Sequence, residues 1–139
     1  MATSIRTEIR IEAPADAVWA VLTDFPSHPA WDPFLTAIEG HAAVGERLAV
    51  RFFNGMKMRP TVTEVKPGRV LEWFGKLLFG GLFDGRHRFE LIPEGDATRL
   101  VQSERFSGML VPLVKKVVAD TERNFERLNV ALKERVEQA

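Results

Sequence analysis

Between Met109 and Gln138, apolar or small residues recur at steps of three and four: Leu110, Val114, Val117, Thr121, Phe125, Leu128, Leu132 and Val136. Glu122, Arg123, Glu126, Arg127, Lys133, Glu134 and Glu137 fall on the opposite side. That period predicts one amphipathic helix. At 1.5 Å per residue a helix of roughly 28 residues is about 42 Å long, against about 23 Å for a seven-residue strand, so it must cross a whole sheet. The half from Thr121 onward is cleanly two-sided and reads as the anchor. The half from Met109 to Val118 has almost no polar face and needs cover on more than one side, from a loop, a partner or the wall of an apolar cavity. Pro112 fits a first helical turn, which places the regular helix start near Val111.

The preceding chain alternates with period two. Ile5, Ile9 and Ile11 mark a first strand, closed by Pro14. Ala13-Pro14-Ala15-Asp16 opens a short helix that buries Val18, Trp19, Val21 and Leu22 and stops by Phe25-Pro26. Pro26, Pro29 and Pro33 limit the segment from Asp24 to Phe34 to one helical turn within an ordered loop, pinned by Trp31 and Phe34. Asp24 and Asp32 read as caps and turn formers, His28 as a solvated loop residue.

Strands follow at Leu35 to Ile38 and at Leu48, Val50 and Phe52, then a tight hairpin turn at Asn54-Gly55. A return strand carries Met58, Pro60 and Val62, and after the Pro67-Gly68 turn another carries Leu71 and Trp73. Leu77, Leu78 and Phe79 occupy what should be a solvent-facing turn and are expected to tuck under, form an entrance lip or meet a partner. The last two strands each have a clear inward face: Gly85, His87, Phe89 and Leu91, then Thr98, Leu100, Gln102, Glu104 and Phe106. A strand, two short helices, six strands and a long helix make an α+β order in which the terminal helix covers one face of an antiparallel sheet.

With 139 residues, 45% of them hydrophobic, the chain fits one domain over 1–139. Nineteen basic and nineteen acidic residues cancel and are dispersed, so no footprint for nucleic acid is expected. The absence of cysteine excludes disulfides and thiolate sites. The opening MATSIRTEIRIEA lacks the apolar core of a signal peptide, and no run reaches the 18 or so apolar residues of a membrane span, which makes a cytoplasmic setting the expectation. His28, His41 and His87 stand at no metal-ligand spacing, so neither metal nor cofactor is expected. Monomer and homodimer are both compatible with this composition.

His87 and Glu104 are the polar exceptions on apolar strand faces, and burial demands partners for them: each other, Gln102 or Arg59. The pair is open to three roles: structural hydrogen bonding, anchoring of a ligand, and acid/base chemistry. Trp31 and Trp73 are open to stacking on a ring-bearing ligand or to filling the core.

The stretches APADAVWAVLTDF, WDPF, VGERL, TEVKPGRVLEW, HRFEL, TRLVQSERFSG and ALKERVE together resemble the SRPBCC group, the START-like or Bet v 1-like superfamily, in its bacterial polyketide cyclase/dehydrase branch. The resemblance covers nearly the whole chain. It implies a helix-grip fold: a seven-stranded antiparallel sheet wrapped around the long C-terminal helix, two short helices after the first strand, and an apolar cavity between helix and sheet. The function so implied is binding of a small hydrophobic molecule, lipid-like or polyaromatic. A cofactor-independent cyclase or dehydratase using His87 and Glu104 as acid and base is the alternative, and a chaperone-cofactor-like interaction module, with a filled interior, a further one. The residues expected at the ligand are Trp31, Phe52, Met58, Val62, Leu71, Trp73, His87, Phe89, Gln102, Glu104, Phe106, Met109, Leu113, Val117 and Thr121.

Overall fold

A computed structural model describes residues 2–76 and 83–138, so the expected lip from Leu77 to Phe79 lies outside the described residues. The chain runs β1 (Ala2–Ile11), α1 (Ala15–Thr23), a 3-10 helix (Phe25–Ala30), β2 (Leu35–Glu39), β3 (Ala49–Phe52), β4 (Lys57–Met58), β5 (Thr61–Lys66), β6 (Val70–Lys76), β7 (Asp84–Glu94), β8 (Ala97–Ser107), a 3-10 turn (Val111–Leu113) and α2 (Lys115–Glu137).

Five strands form one antiparallel sheet in the order β1-β8-β7-β6-β5, and three form a second in the order β2-β3-β4. The two are one surface interrupted at Pro60. Val50 pairs with Met58 and Arg51 with Lys57 on one side of the break, and Arg47 bridges Thr61 on the other, in the same register. Pro60 has no N–H to give a ladder, yet its carbonyl still accepts from Leu48 N at 2.8 Å, and Val62 N donates to Glu46 O at 2.8 Å. With β4 and β5 counted as one broken strand, the sheet is the seven-stranded antiparallel grip of a helix-grip fold.

The helix lies in this grip by its second half. Phe125, Leu128, Leu132 and Val136 are at most 4% exposed. Leu128, Leu132 and Val136 meet Leu71, Phe89, Leu91 and Leu100 from the sheet and Val18 and Leu22 from α1 in the main core; Phe125 belongs to a smaller cluster with Ile5, Phe83, Phe106 and Val111. The helix is shorter than the pattern predicts, 23 residues from Lys115. Pro112 is instead taken into the separate 3-10 turn, which buries Val111 and leaves Met109 and Leu113 76% and 79% exposed.

A buried corner closes the sheet edge beside α1. The two prolines at 26 and 29 wind Phe25–Ala30 into six residues of 3-10 helix, longer than the one turn expected. This winding carries His28 inward, to 2% exposure, correcting the solvated assignment. Its Nε2 lies 2.7 Å from Leu22 O and its Nδ1 2.9 Å from Asp32 Oδ2. Asp32 Oδ1 accepts from Phe34 N and Leu35 N at 2.8 and 2.9 Å, the turn-forming role the sequence suggests. Trp31 packs its ring 4.6 Å from the His28 ring, inside this corner. Asp32→Ala strands two buried partners, His28 Nδ1 and Leu35 N, and the half-buried Phe34 N, and a urea transition is expected to show a loss of roughly 3–5 kcal/mol. A loss under about 1 kcal/mol would mean that the corner is held by packing alone.

Candidate functional site

Above the anchored part of the helix, α2 and the sheet diverge around a cavity of about 440 Å³. One wall is the β3–β4 hairpin. Its loop has three residues, 53–55, closed by Gly55 N to Phe52 O at 2.9 Å and Phe52 N to Met56 O at 2.8 Å, with Gly55 at φ 86°. This is the turn in which a left-handed residue ends the loop, one residue longer than the tight Asn-Gly turn expected. It hangs Phe53 and Met56, each about half exposed, over the mouth. A close approach shapes the same wall: a Cβ on Gly75 would fall 2.7 Å from Met58 Sδ, so a side chain at this point of β6 would have to push the flexible end of Met58 aside.

The floor is a single row across the sheet. Antiparallel pairing sets Trp73 opposite His87, and His87 opposite Glu104, so the inward phase of β6, β7 and β8 delivers all three side chains to one level. Phe125 of α2 stacks on the His87 ring at 4.5 Å, Phe89 stacks at 4.6 Å, and Trp73 meets it edge-on at 5.1 Å.

Behind His87 runs a buried polar chain. His87 Nε2 is 2.9 Å from Gln102 Oε1, and Gln102 Nε2 donates to Asn129 Oδ1 at 2.7 Å and to Phe125 O at 3.3 Å. Asn129 Nδ2 donates to Thr7 Oγ1 at 2.8 Å, and Thr7 Oγ1 donates to Gln102 O at 3.0 Å. Backbone carbonyls, which only accept, end the chain at both Phe125 and Gln102, so every amide has one permitted orientation. Gln102 must turn its oxygen to His87. His87 therefore carries its proton on Nε2 and leaves the Nδ1 lone pair free.

Nδ1 lies 3.8 Å from Glu104 Oε1, beyond direct hydrogen-bond length. Glu104 has no hydrogen-bond partner among the described residues, although its side chain is only 10% exposed. Burial pushes its carboxyl up to about 8. Burial also pushes the His87 imidazole down to about 4, against a smaller upward pull from the Gln102 hydrogen bond. Glu104 thus holds a proton far more tightly than His87, and near neutrality the two form an uncharged acid beside an uncharged base, not an ion pair.

Of the residues expected at a ligand, Phe52, Met58, Trp73, His87, Glu104, Phe106, Val117 and Thr121 line the cavity. Gln102 stands one layer behind His87. Val62, Leu71 and Phe89 are packed in the main core, Trp31 sits in the His28 corner, and Met109 and Leu113 stand in solvent for the reason given above. Arg59, weighed as a partner for the pair, is exposed and lends only its carbonyl, to Arg47. The walls also contain Phe34, Val50, Phe53, Met56, Phe83 and Val114, with Asn54, Asp120 and Asn124 as polar members, none of them among the residues expected at the ligand. Thr7 and Asn129 were missed as well. Thr7 occupies the gap in the Ile5, Ile9, Ile11 series, and Asn129 stands among the buried positions of α2, so a polar residue at an inward position was the available signal in both. Among the described residues, no three His, Asp or Glu side chains converge as metal ligands would.

An antiparallel sheet that grips a long helix and encloses a mostly apolar cavity defines the START-like, Bet v 1-like class of hydrophobic-ligand folds. Within that class the chain belongs to the family described as polyketide cyclase/dehydrase and lipid transport, whose model matches residues 2–137. No curated protein matches the chain in sequence. Among solved structures it is similar to protein MLL2253 from Mesorhizobium loti, at TM-score 0.82 and 20% identity over 99% of this chain and 98% of that one. A START superfamily protein from Mycobacterium smegmatis aligns at TM-score 0.75 and 22% identity, covering 97% of each chain. The Zhui aromatase/cyclase from Streptomyces sp. R1128 aligns at TM-score 0.75 and 19% identity, over 99% of this chain and 95% of that one. At these identities the likeness is one of fold.

The two shifted groups act on stability in opposite directions. Between the ordinary 4.5 and about 8, folded Glu104 keeps a proton that the unfolded chain releases, so its contribution is full in acid and is lost as pH rises through that window. Between about 4 and the ordinary 6.5, unfolded His87 takes a proton that the folded ring refuses, so stability is lost as pH falls. From pH 6.5 to 8 only Glu104 operates, and the wild type is expected to lose roughly 2 kcal/mol relative to Glu104→Gln over that interval. Urea transitions of both proteins at the two pH values check this; parallel pH dependences would show that Glu104 is ionised throughout.

Proposed function

We propose that this protein binds a small hydrophobic molecule, lipid-like or polyaromatic, in the cavity between α2 and the sheet, within the cytoplasm. The observation that carries the reading is the cavity itself. Its volume of about 440 Å³ lies in the range of small-molecule sites, and Phe34, Phe52, Phe53, Trp73, Phe83 and Phe106 give it six aromatic walls. The family description, joining polyketide cyclases with lipid transport, supports the same reading. The interaction-module alternative called for a filled interior and has no comparable support.

Catalysis is a second reading, favoured by one observation. An unprotonated imidazole nitrogen and a buried carboxyl, 3.8 Å apart, face the same void, as a cofactor-independent cyclase or dehydratase would need for its base and acid. That reading stands only if replacing either residue stops a measured turnover.

Isothermal titration with naphthalene and with dodecanol tests the binding reading. At least one is expected to bind with one molecule per chain, and Thr121→Trp, which fills the cavity from the helix side, is expected to weaken it about tenfold or more while leaving the urea transition in place. Absence of binding by both probes, or binding that Thr121→Trp does not affect, would contradict it.

A further inference from the structure

The cavity's apolar walls explain why a ligand enters, but not the chemistry of its floor. Glu104 is a buried carboxyl without a hydrogen-bond partner among the described residues, and His87 presents a nitrogen lone pair 3.8 Å away, both on the cavity surface. Whatever fills the cavity completes their hydrogen bonding. The gap between them is too long for a direct hydrogen bond, yet an oxygen placed roughly 2.8 Å from both atoms fits over it. That oxygen has to donate to Nδ1 and accept from the carboxyl.

We propose that the cavity selects neutral aromatic molecules bearing a hydroxyl, gripped between His87 Nδ1 as acceptor and the Glu104 carboxyl as donor. The assignment rests on the binding reading above and names the ligand chemistry that the floor recognises. A ketone or ether accepts but cannot donate, and leaves Nδ1 bare. A carboxylate brings a charge and no donor to a buried floor, and an ammonium requires an ionised Glu104, which burial opposes. The flat-ring requirement comes from the walls: Trp73 stands edge-on to His87 in the same row, with Phe52 and Phe106 also on the cavity surface. The grip depends on the Nε2–H form of His87, so Gln102 and Asn129 are positioning residues, acting through the ring without touching the ligand.

Calorimetric affinities for 2-naphthol, 2-methoxynaphthalene and naphthalene at pH 6.5 decide the matter, with dodecanol as the reference for the cavity. 2-Naphthol is expected to bind about tenfold more tightly than either other arene. Glu104→Met and His87→Phe are expected to reduce that preference, read as the ratio of 2-naphthol to naphthalene affinity within each variant, to within about twofold. Glu104→Gln, whose amide N–H still donates, is expected to retain it, which separates loss of the donor from loss of fold. Equal affinities for 2-naphthol and 2-methoxynaphthalene, or a preference that survives both Glu104→Met and His87→Phe, would overturn the proposal. So would binding of dodecanol with none of the arenes, a result that leaves the cavity reading standing; failure of all four probes would overturn both.

Discussion

The hydrogen bond from Gln102 Nε2 to Asn129 Oδ1, 2.7 Å long and fully buried, is the contact on which the site depends. With the longer bond from the same Nε2 to Phe125 O, it ties the inward face of the last strand to the long helix, set among apolar neighbours that would tolerate many rotations of the helix. An amide pair does not tolerate them. A turn of the helix that moved Asn129 aside would strand the Gln102 amide and, through it, Thr7 and His87, each at a cost of about 1–3 kcal/mol. Hydrophobic packing of Leu128 and Leu132 holds the helix on the sheet; the amide chain decides which way round it lies.

From that fixed point the cavity follows. Below Phe125 the helix is sealed into the sheet by leucines and Val136. Above it Thr121, Val117 and Val114 line the cavity from the helix side, and the hairpin carrying Phe53 and Met56 lines it from the other. The same Phe125 that closes the core below forms a stacking face for His87 above, so the boundary between sealed interior and open cavity passes through one aromatic ring. Electrostatics agree with the geometry. Burial favours a protonated Glu104 and a neutral His87, and the floor carries directional hydrogen-bonding groups without net charge.

The architecture was legible because it rests on period and punctuation. The helix face from Thr121 to Val136, the inward phases of the last two strands and the hairpin after Phe52 are all local patterns that tertiary packing merely accepts. The polar exceptions His87 and Glu104 stood out because they break an apolar alternation. Gln102 was among the partners offered for the pair, and it does meet His87; the wiring beyond it was not legible, since Thr7 and Asn129 come from distant segments and nothing local records that an asparagine on a helix faces a glutamine on a strand. His28 was misread for a related reason. Its neighbours are prolines, which signal a loop, but a 3-10 winding with Asp32 at its end turned that loop inward. At the helix start the apolar run suggested a wall along its whole length, whereas the separate turn at Pro112 puts Val111 inside and Met109 and Leu113 outside.

The account turns on one proton at one nitrogen. A long-range proton–nitrogen correlation spectrum of ¹⁵N-labelled protein at pH 7 reads the state of each histidine ring directly. His87 is predicted to show the neutral Nε2–H form, with Nδ1 at the shift of an unprotonated nitrogen, because Gln102 offers it only an oxygen and burial refuses the charge. A charged ring, or a proton on Nδ1, would contradict the account, since the floor of the cavity would then have no acceptor to offer.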